Sequence, residues 1–282
     1  MTVHEGRNPV LISVEELRHE LDLGEKPAVF DVRWKLGSTA EAGRAAYMGG
    51  HIPGAVFVDL EHRLSDPNGG EGRHPLPCPD AFEHTARRLG ICNDCPVVIY
   101  DDGLGLSAAR MWWLLTDAGH EDVRILDGGL SAWMEAGYDI ETGEVRPREG
   151  RFIAETGQLD VVDADEVEST DATVWDVRAP ERFRGESDPV DHVAGHIPGS
   201  RNLPAATLFV DGALRPIPEL EEILAEVKSG DIISCGSGIT ACQVIWALHV
   251  IGKTDVSLYA GSWSDWISDP DRAVEVSVPA DA

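Results

Sequence analysis

One cysteine, Cys235, lies between a predicted strand and a predicted helix, a position that favours a nucleophilic thiolate. Cys235 directly follows an apolar, strand-like run at residues 232–234, and Gly236 and Gly238 provide a turn. Residues 241–251 then show the apolar spacing of a helix. The free N–H groups and positive dipole end of a helix N-terminus favour an anion, so a cysteine placed there is favoured as a thiolate. We therefore predict that Cys235 carries the chemistry, the alternative being a buried, inert cysteine.

The elements that position this loop occur twice, because the chain contains an internal duplication. Two pairs of segments match at a spacing of 145 residues and two at a spacing of 133. The pairs are Val-Phe-Asp-Val-Arg at 29–33 with Val-Trp-Asp-Val-Arg at 174–178, Gly-His-Ile-Pro-Gly at 50–54 and 195–199, 102–107 with 235–240, and 128–133 with 261–266. The difference of 12 residues indicates an insertion in the first copy, and the glycine-rich residues 66–72 are its predicted position. Two such copies predict two domains of one fold.

Strands and helices alternate in each copy. In the first copy we predict a helix from a capping box at Ser13 and Glu16, then a strand, then a long loop that reaches the Gly-His-Ile-Pro-Gly turn. Further strands are predicted at 55–59, 97–100 and 123–126, with helices between them. This order predicts an α/β protein of two tandem domains, each a parallel sheet with helices on both faces. The predicted division is a first domain at 1–143, a polar linker at 144–152 and a second domain at 153–282.

Composition narrows the possible partners and the compartment. The 282 residues include 50 acidic and 23 basic side chains, a net charge of −27, which argues against binding to nucleic acid or to an anionic membrane surface. No run approaches the roughly 20 apolar residues of a membrane span. The first nine residues lack the apolar segment of a signal peptide, and five cysteines do not make a disulfide framework. We therefore expect a cytoplasmic protein.

Taken together, the paired motifs, the Cys-Gly-Ser-Gly-Ile-Thr loop and the Gly-Ser-Trp-Ser-Asp-Trp segment resemble the tandem-domain rhodanese family of sulfurtransferases. In that family only the second domain keeps the cysteine, and here Asp102 occupies the matching position of the first. The resemblance implies transfer of a sulfane sulfur from 3-mercaptopyruvate or thiosulfate, through a Cys235 persulfide, to a thiol, cyanide, a thioredoxin-like protein or another protein acceptor. It implies no cofactor and no metal. The uncharged loop is similar to that of the 3-mercaptopyruvate type, while a thiosulfate-preferring enzyme and a non-enzymatic sulfur-carrier docking module remain alternatives.

The resemblance also assigns roles to single residues. Arg182 matches the arginine that holds the anionic end of the donor, and Ser237 matches a serine that relays a proton with a first-domain histidine, here expected to be His51. The loop residues Gly236, Gly238, Ile239 and Thr240 would contact the donor and stabilise anionic sulfur. Mercaptopyruvate enzymes usually carry a second arginine shortly afterwards, but residues 186–191 contain none, and Arg184 is not at the matching position.

Other candidates favour structural roles. A cysteine phosphatase needs an arginine six positions after its cysteine, where this chain has Ala241. The aspartate–arginine pairs within 29–33 and 174–178 are predicted to be ion pairs at strand ends. Cys92 and Cys95 have the spacing of a redox or zinc motif, but no second Cys/His pair accompanies them. Cys78 and Cys242 are predicted to be structural.

Overall fold

The computed structural model describes residues 8–24, 27–66, 68–70 and 72–277. The chain forms two compact units. The first unit comprises Met1–Arg63, Pro79–Gln158 and Gly212–Leu214, and the second comprises Leu64–Cys78, Leu159–Asp211 and Arg215–Ala282. Each unit contains one five-stranded sheet in which every pair of neighbouring strands is parallel. The predicted α/β architecture with parallel sheets is confirmed.

The sheet of the first unit has the strand order β1-β5-β4-β2-β3. Its strands are β1 (Leu11–Ile12), β2 (Ala28–Asp31), β3 (Val56–Phe57), β4 (Val97–Tyr100) and β5 (Val123–Leu126). Its helices are α1 (Val14–Leu23), α2 (Ala40–Gly49), α3 (Leu60–Arg63), α4 (Pro79–Arg88), α5 (Ala108–Asp117) and α6 (Gly129–Glu135). The capping box of Ser13 and Glu16 is present at the start of α1, as predicted.

Helix α2 lies where the sequence pattern predicts only a long loop. Its N-cap is Thr39, whose side chain accepts a hydrogen bond from the amide of Ala42. The helix is rich in alanine and glycine, and Tyr47 is its one buried side chain among those described. Because a single buried residue leaves no apolar periodicity, the pattern that identifies an amphipathic helix is missing here.

The sheet of the second unit has the order β6-β12-β11-β7-β8, the same topology as the first. The strands of this half are β6 (Val161–Val162), β7 (Val174–Asp176), β8 (Arg201–Asn202), β9 (Phe209–Val210), β10 (Ala213–Leu214), β11 (Ile232–Ser234) and β12 (Ser257–Tyr259), of which β9 and β10 lie outside both five-stranded sheets. The helices are α7 (Ala164–Ser169), α8 (Pro180–Phe183), a 3₁₀ helix (Ala205–Leu208), α9 (Ile217–Ile223), α10 (Ile239–Val250) and α11 (Ser262–Trp266). Strand β11 is central and fully buried, and it leads directly to Cys235.

Two segments lie in other units than the domain division predicted from the sequence. The predicted linker, residues 144–152, lies in the first unit, where the amides of Arg151 and Phe152 both donate to the carbonyl of Ile91. The Phe152 side chain is fully buried, and this burial holds the segment in place. Residues 64–78, which include the predicted insertion, are part of the second unit.

Among the described residues, no helix is both long enough and apolar enough to cross a bilayer.

Candidate active site

The loop after β11 is built to bring a thiol to the start of a helix. Cys235 is 1% exposed, and α10 begins at Ile239, four residues later. Gly238 caps the helix at φ +79°, and a Cβ at this position would lie 2.4 Å from the carbonyl oxygen of Ala260. Glycine is required here, because the backbone is left-handed and there is no space for a side chain. Strand, turn and helix therefore hold the Cys235 loop in one conformation.

Ser262, at the start of α11, fixes the loop from behind. Its hydroxyl accepts hydrogen bonds from the amides of Cys235 at 3.0 Å and Gly238 at 3.1 Å, and donates to the carbonyl of Tyr259 at 2.8 Å. The same oxygen lies 3.8 Å from the Cys235 sulfur. Ser262 holds a positive φ of 55°, an uncommon value for a residue with a side chain. Its hydroxyl ties both ends of the loop to one atom.

Five backbone amides of the loop and the first helical turn, those of Gly236, Ser237, Ile239, Thr240 and Ala241, have no acceptor in the described part of the chain. Three of them, those of Gly236, Thr240 and Ala241, form what we call the amide cradle. Buried N–H groups without a partner cost free energy, and at a helix N-terminus they are positioned for an anion. The cradle therefore suits an anionic sulfur or oxygen next to Cys235.

The loop hydroxyl has a histidine partner that the sequence analysis missed. His74 Nδ1 lies 2.8 Å from Ser237 Oγ, and both side chains are buried. His74 belongs to the 64–78 segment of the second unit. A buried hydroxyl–imidazole hydrogen bond is a route for a proton at the cysteine loop. The available signal was the insertion itself, because a segment present in one copy alone is not required by the shared fold.

His51, which the resemblance pairs with Ser237, has a different environment. Its ring is fully buried in the first unit, Nδ1 lies 2.9 Å from the carbonyl oxygen of Tyr47, and the ring stacks on Tyr47 at 4.1 Å. His196 in the second copy repeats this arrangement with Phe183, at 2.6 Å and 3.8 Å. The same contacts in both copies mark a structural histidine of the Gly-His-Ile-Pro-Gly turn. The described partner of Ser237 is therefore His74, which replaces the expected His51.

Arg182 lies beside the loop, as expected for a residue that holds a donor. Its Nε donates to both carboxylate oxygens of Asp188 at 3.1 Å, and its Nη2 donates to Asp191 at 2.8 Å. Burial acts to raise the pKa of Asp188, but the amides of Asp191 and Val190 and the Arg182 guanidinium together hold that pKa below its ordinary value. Asp188 is therefore a carboxylate that fixes the orientation of Arg182.

A second guanidinium approaches the loop from the 64–78 segment. Arg73 forms an ion pair with Asp191, and its amide donates to Ser264 Oγ at 3.1 Å. A Cβ placed on Gly236 would lie 2.8 Å from Arg73 Nη2 and 3.4 Å from Arg182 Nη2. Arg184, in contrast, is exposed and pairs with Glu186. Two arginines, Arg73 and Arg182, therefore lie beside Gly236.

The remaining candidates fall into structural positions. Asp31–Arg33 and Asp176–Arg178 are buried ion pairs, and each arginine also donates to the carbonyl of the glycine that opens the neighbouring turn, at 2.7 Å. Ile239 is buried and Thr240 is partly buried in the first turn of α10.

Cys92, Asp94 and Cys95 bring their ligand atoms within 4.8 Å of one another in the first unit. Cys242 is buried in α10, and Cys78 is exposed. All five cysteines are free thiols.

Comparison with known proteins gives a consistent result. The rhodanese-like domain family matches residues 13–136 and 162–269. A putative thiosulfate sulfurtransferase, SseB, of Mycobacterium tuberculosis (strain ATCC 25618 / H37Rv) is 45% identical over 281 residues, covering 96% of this chain and 98% of the relative. A probable 3-mercaptopyruvate sulfurtransferase of Pseudomonas aeruginosa is 41% identical over 259 residues, covering 87% and 91%. The solved 3-mercaptopyruvate sulfurtransferase from Leishmania major superposes with a TM-score of 0.85 at 30% identity, covering 94% of this chain and 76% of that one.

Proposed function

The chain belongs to the rhodanese family and is a sulfurtransferase, and on this premise we propose that it carries sulfur as a persulfide on Cys235. The observation that carries the proposal is the Ser237–His74 hydrogen bond of 2.8 Å on the same loop as the cysteine. A thiol, an anion-binding backbone and a proton route then occur within one turn of chain. Covalent catalysis of this kind divides a difficult transfer into two easier steps.

With 3-mercaptopyruvate as donor, the Cys235 thiolate attacks the donor sulfur and forms a sulfur–sulfur bond. The carbon–sulfur bond breaks, its electron pair passes to carbon as the enolate of pyruvate, and the thiol proton of the donor finally resides on that carbon. Ser237 and His74 are placed to move this proton, while the amide cradle stabilises the negative persulfide sulfur. An acceptor thiolate or cyanide then attacks the outer sulfur and restores Cys235.

The relatives are named for two donors, and the site favours one of them. Thiosulfate is a dianion whose transferred sulfur carries no proton, whereas 3-mercaptopyruvate is a monoanion with a thiol proton. The loop between Cys235 and Ile239 has no charged residue, and it carries a hydroxyl bonded to a histidine. We therefore propose 3-mercaptopyruvate as the preferred donor and thiosulfate as the alternative. For acceptors we propose a small thiol, cyanide or a thioredoxin-like protein in a reducing cytoplasm.

A matched pair of histidine variants tests this function with both donors. His74→Gln removes the proton route, so kcat with 3-mercaptopyruvate is expected to fall about 10²-fold, within the range for one general acid–base group. The fall with thiosulfate is expected to be less than about 3-fold, because no proton has to move. Steady-state kinetics with cyanide as the common acceptor gives both values.

His51→Gln is the control, because this histidine is buried in the first unit, where it stacks on Tyr47 and bonds to its carbonyl oxygen. It is expected to lower the melting temperature while the ratio of the two donor rates stays constant. Equal losses on both donors in His74→Gln, or wild-type kcat/KM higher with thiosulfate, would contradict the proposed donor and proton route.

A further inference from the structure

Two cysteines of the first unit, Cys92 and Cys95, stand at the two ends of one turn between α4 and β4. The amide of Cys95 donates to the carbonyl of Cys92 at 3.4 Å, which is the hydrogen bond of a β-turn. A β-turn keeps its end Cα atoms less than about 7 Å apart, and a disulfide spans about 4.4–6.8 Å between Cα atoms. The backbone therefore holds the two residues at a separation that a disulfide can bridge.

The sulfur atoms of the two cysteines are also close to each other. Cys92 Sγ, Cys95 Sγ and a carboxylate oxygen of Asp94 all lie within 4.8 Å of one another. A disulfide bond is about 2.05 Å long, so the sulfurs need to approach by at most about 2.8 Å, a movement that rotation of the two side chains can supply. Both cysteines are partly exposed, so a small oxidant can reach them.

Two contacts within the first unit fix this turn. The side-chain amide of Asn93 donates to the carbonyl of Ile153 at 2.8 Å, and its oxygen accepts a hydrogen bond from the Ile153 amide at 2.9 Å. His120 Nε2 lies 3.1 Å from the carbonyl oxygen of Cys92. The corresponding segment of the second copy, residues 225–229, contains no cysteine. The shared fold therefore does not require the two thiols, although the first unit holds the turn that carries them.

One pair of thiols suits redox chemistry better than a structural metal. A structural zinc ion takes four protein ligands, whereas this group offers two sulfurs and one exposed carboxylate. His120 does not complete the set, because its Nε2 faces the Cys92 carbonyl and its Nδ1 accepts a hydrogen bond from the amide of Asp122 at 3.3 Å. Among the residues that the structure describes, no fourth ligand joins the group. A disulfide needs only the two sulfurs.

We propose that Cys92 and Cys95 form a redox site that closes reversibly to a disulfide when the protein meets hydrogen peroxide. The Cys92 thiolate attacks one peroxide oxygen, the oxygen–oxygen bond breaks and hydroxide leaves, so Cys92 becomes a sulfenic acid. The Cys95 sulfur then attacks the Cys92 sulfur, the sulfur–oxygen bond breaks, and the oxygen leaves as water with the Cys95 proton. In sum, two thiols are oxidised to one disulfide, and one peroxide is reduced to two waters.

The environment of Cys95 supports this order of attack. Burial raises the pKa of the Cys95 thiol, and the neighbouring Cys92 thiol and Asp94 carboxylate raise it further. Cys95 therefore keeps its proton, and Cys92 is the first of the two to act as a nucleophile. The site lies outside the Cys235 loop, so it does not depend on the proposed sulfur transfer.

The test uses the full chain, because trypsin isolates the pair in one peptide. Cleavage after Arg88 and Arg110 gives residues 89–110, which contain no other cysteine. After treatment with hydrogen peroxide and alkylation of the remaining thiols, we expect this peptide to take up no alkylating group and to be about 2 Da lighter than the unalkylated dithiol form. Dithiothreitol is expected to restore both thiols. Mass spectrometry measures each form.

Cys95→Ser removes the second thiol and leaves Cys92 to be oxidised further. In excess peroxide we expect the fraction of Cys92 that dithiothreitol recovers to fall at least about 5-fold in this variant, because sulfinic acid is not reduced by thiols. Cys78→Ser is the matched control, since Cys78 is exposed and lies outside the turn, and it is expected to leave the disulfide of residues 89–110 unchanged.

Three results would overturn the proposal. The first is a wild-type peptide that keeps two free thiols in excess peroxide, and the second is a disulfide that joins residues 89–110 to another peptide. The third is one zinc ion per purified chain that Cys92→Ser removes, because the thiols would then be metal ligands. If Cys95→Ser does not fold, the wild-type peptide alone decides between these results and the expected disulfide.

Discussion

The same strand–loop–helix turn occurs in both units, and the two copies use their loop amides differently. In the first unit Asp101 directly follows β4, and its carboxylate accepts hydrogen bonds from the amides of Gly103 at 2.9 Å, Gly105 at 3.0 Å, Ser107 at 3.0 Å and Ala108 at 3.4 Å. Burial raises the pKa of Asp101, and these amide hydrogen bonds offset part of the rise. The first loop thus closes on an acceptor from its own chain.

In the second unit Ser234 stands in the position of Asp101 and supplies no carboxylate. Gly236, Thr240 and Ala241 correspond to Gly103, Ser107 and Ala108, and they form the amide cradle that has no acceptor among the described residues. The equivalent amides converge on one carboxylate in the first unit, so the same backbone frame can bind an anion in the second.

Two features of the first unit oppose sulfur transfer at its loop. Asp102 occupies the position of the cysteine, and a carboxylate cannot carry a sulfane sulfur. Its side chain is half exposed, and its Oδ2 lies 3.4 Å from Lys35 Nζ. In addition, Asp101 already occupies the amides that a persulfide would need. Restoring a thiol at 102 would therefore not restore the site.

A carboxylate at position 234 of the second loop is expected to have the largest effect on sulfur transfer. Ser234→Asp would place a carboxylate where Asp101 lies in the first unit, so the amide cradle would be filled. We expect kcat/KM for sulfur transfer to fall about 10³-fold, the scale on which losing an oxyanion-binding arrangement acts. Steady-state kinetics measures the loss, and a thermal melt checks that the variant is folded.

The control for charge is Ser234→Asn, which has the same shape without the negative charge, and its loss is expected to be smaller. A Ser234→Asp protein with wild-type kcat/KM would show that the amide cradle has no part in transfer.

Removing the carboxylate of Asp101 from the first loop has the next largest expected effect, and this effect is on the stability of the first unit. Asp101→Ser removes the acceptor of four backbone amides, three of them in buried hydrogen bonds, so we expect the free energy of unfolding of the first unit to fall by about 2–4 kcal/mol. Hydrogen exchange of residues 97–126 and urea denaturation measure this change. The neighbouring Asp102→Ser is the matched control, because this side chain is half exposed and its ion pairs, with Lys35 at 3.4 Å and Arg33 at 4.0 Å, are expected to contribute about 0–1 kcal/mol. Equal effects at the two positions would contradict the role given to Asp101.

Much of the fold follows from the sequence, because its signals are local. The capping box of Ser13 predicts the start of α1, and the apolar runs at 97–100 and 123–126 match β4 and β5. The duplication predicts that both sheets share one topology. Helix α2 was not predicted, because it is rich in alanine and buries a single described side chain. Its sequence therefore lacks the apolar periodicity of an amphipathic helix.

The candidate site was predictable only where its residues are neighbours in sequence. Cys235, Ser237 and the loop glycines form one motif, and Arg182 follows from the resemblance. His74 and Arg73 reach that motif from more than 150 positions away, and no local pattern reports such a contact. The relay role was assigned to His51 through the resemblance alone, although the recurrence of this residue as His196 indicates a structural role.

If only the loop with the open amide cradle carries sulfur, the persulfide must lie on Cys235. Mass spectrometry of the protein and of its peptides, after incubation with 3-mercaptopyruvate and alkylation of the persulfide, tests this. We expect one added sulfur of about 32 Da per chain on the peptide that contains Cys235, and none in Cys235→Ser. A sulfur adduct that persists in Cys235→Ser, or that maps to Cys92, Cys95, Cys78 or Cys242, would contradict it.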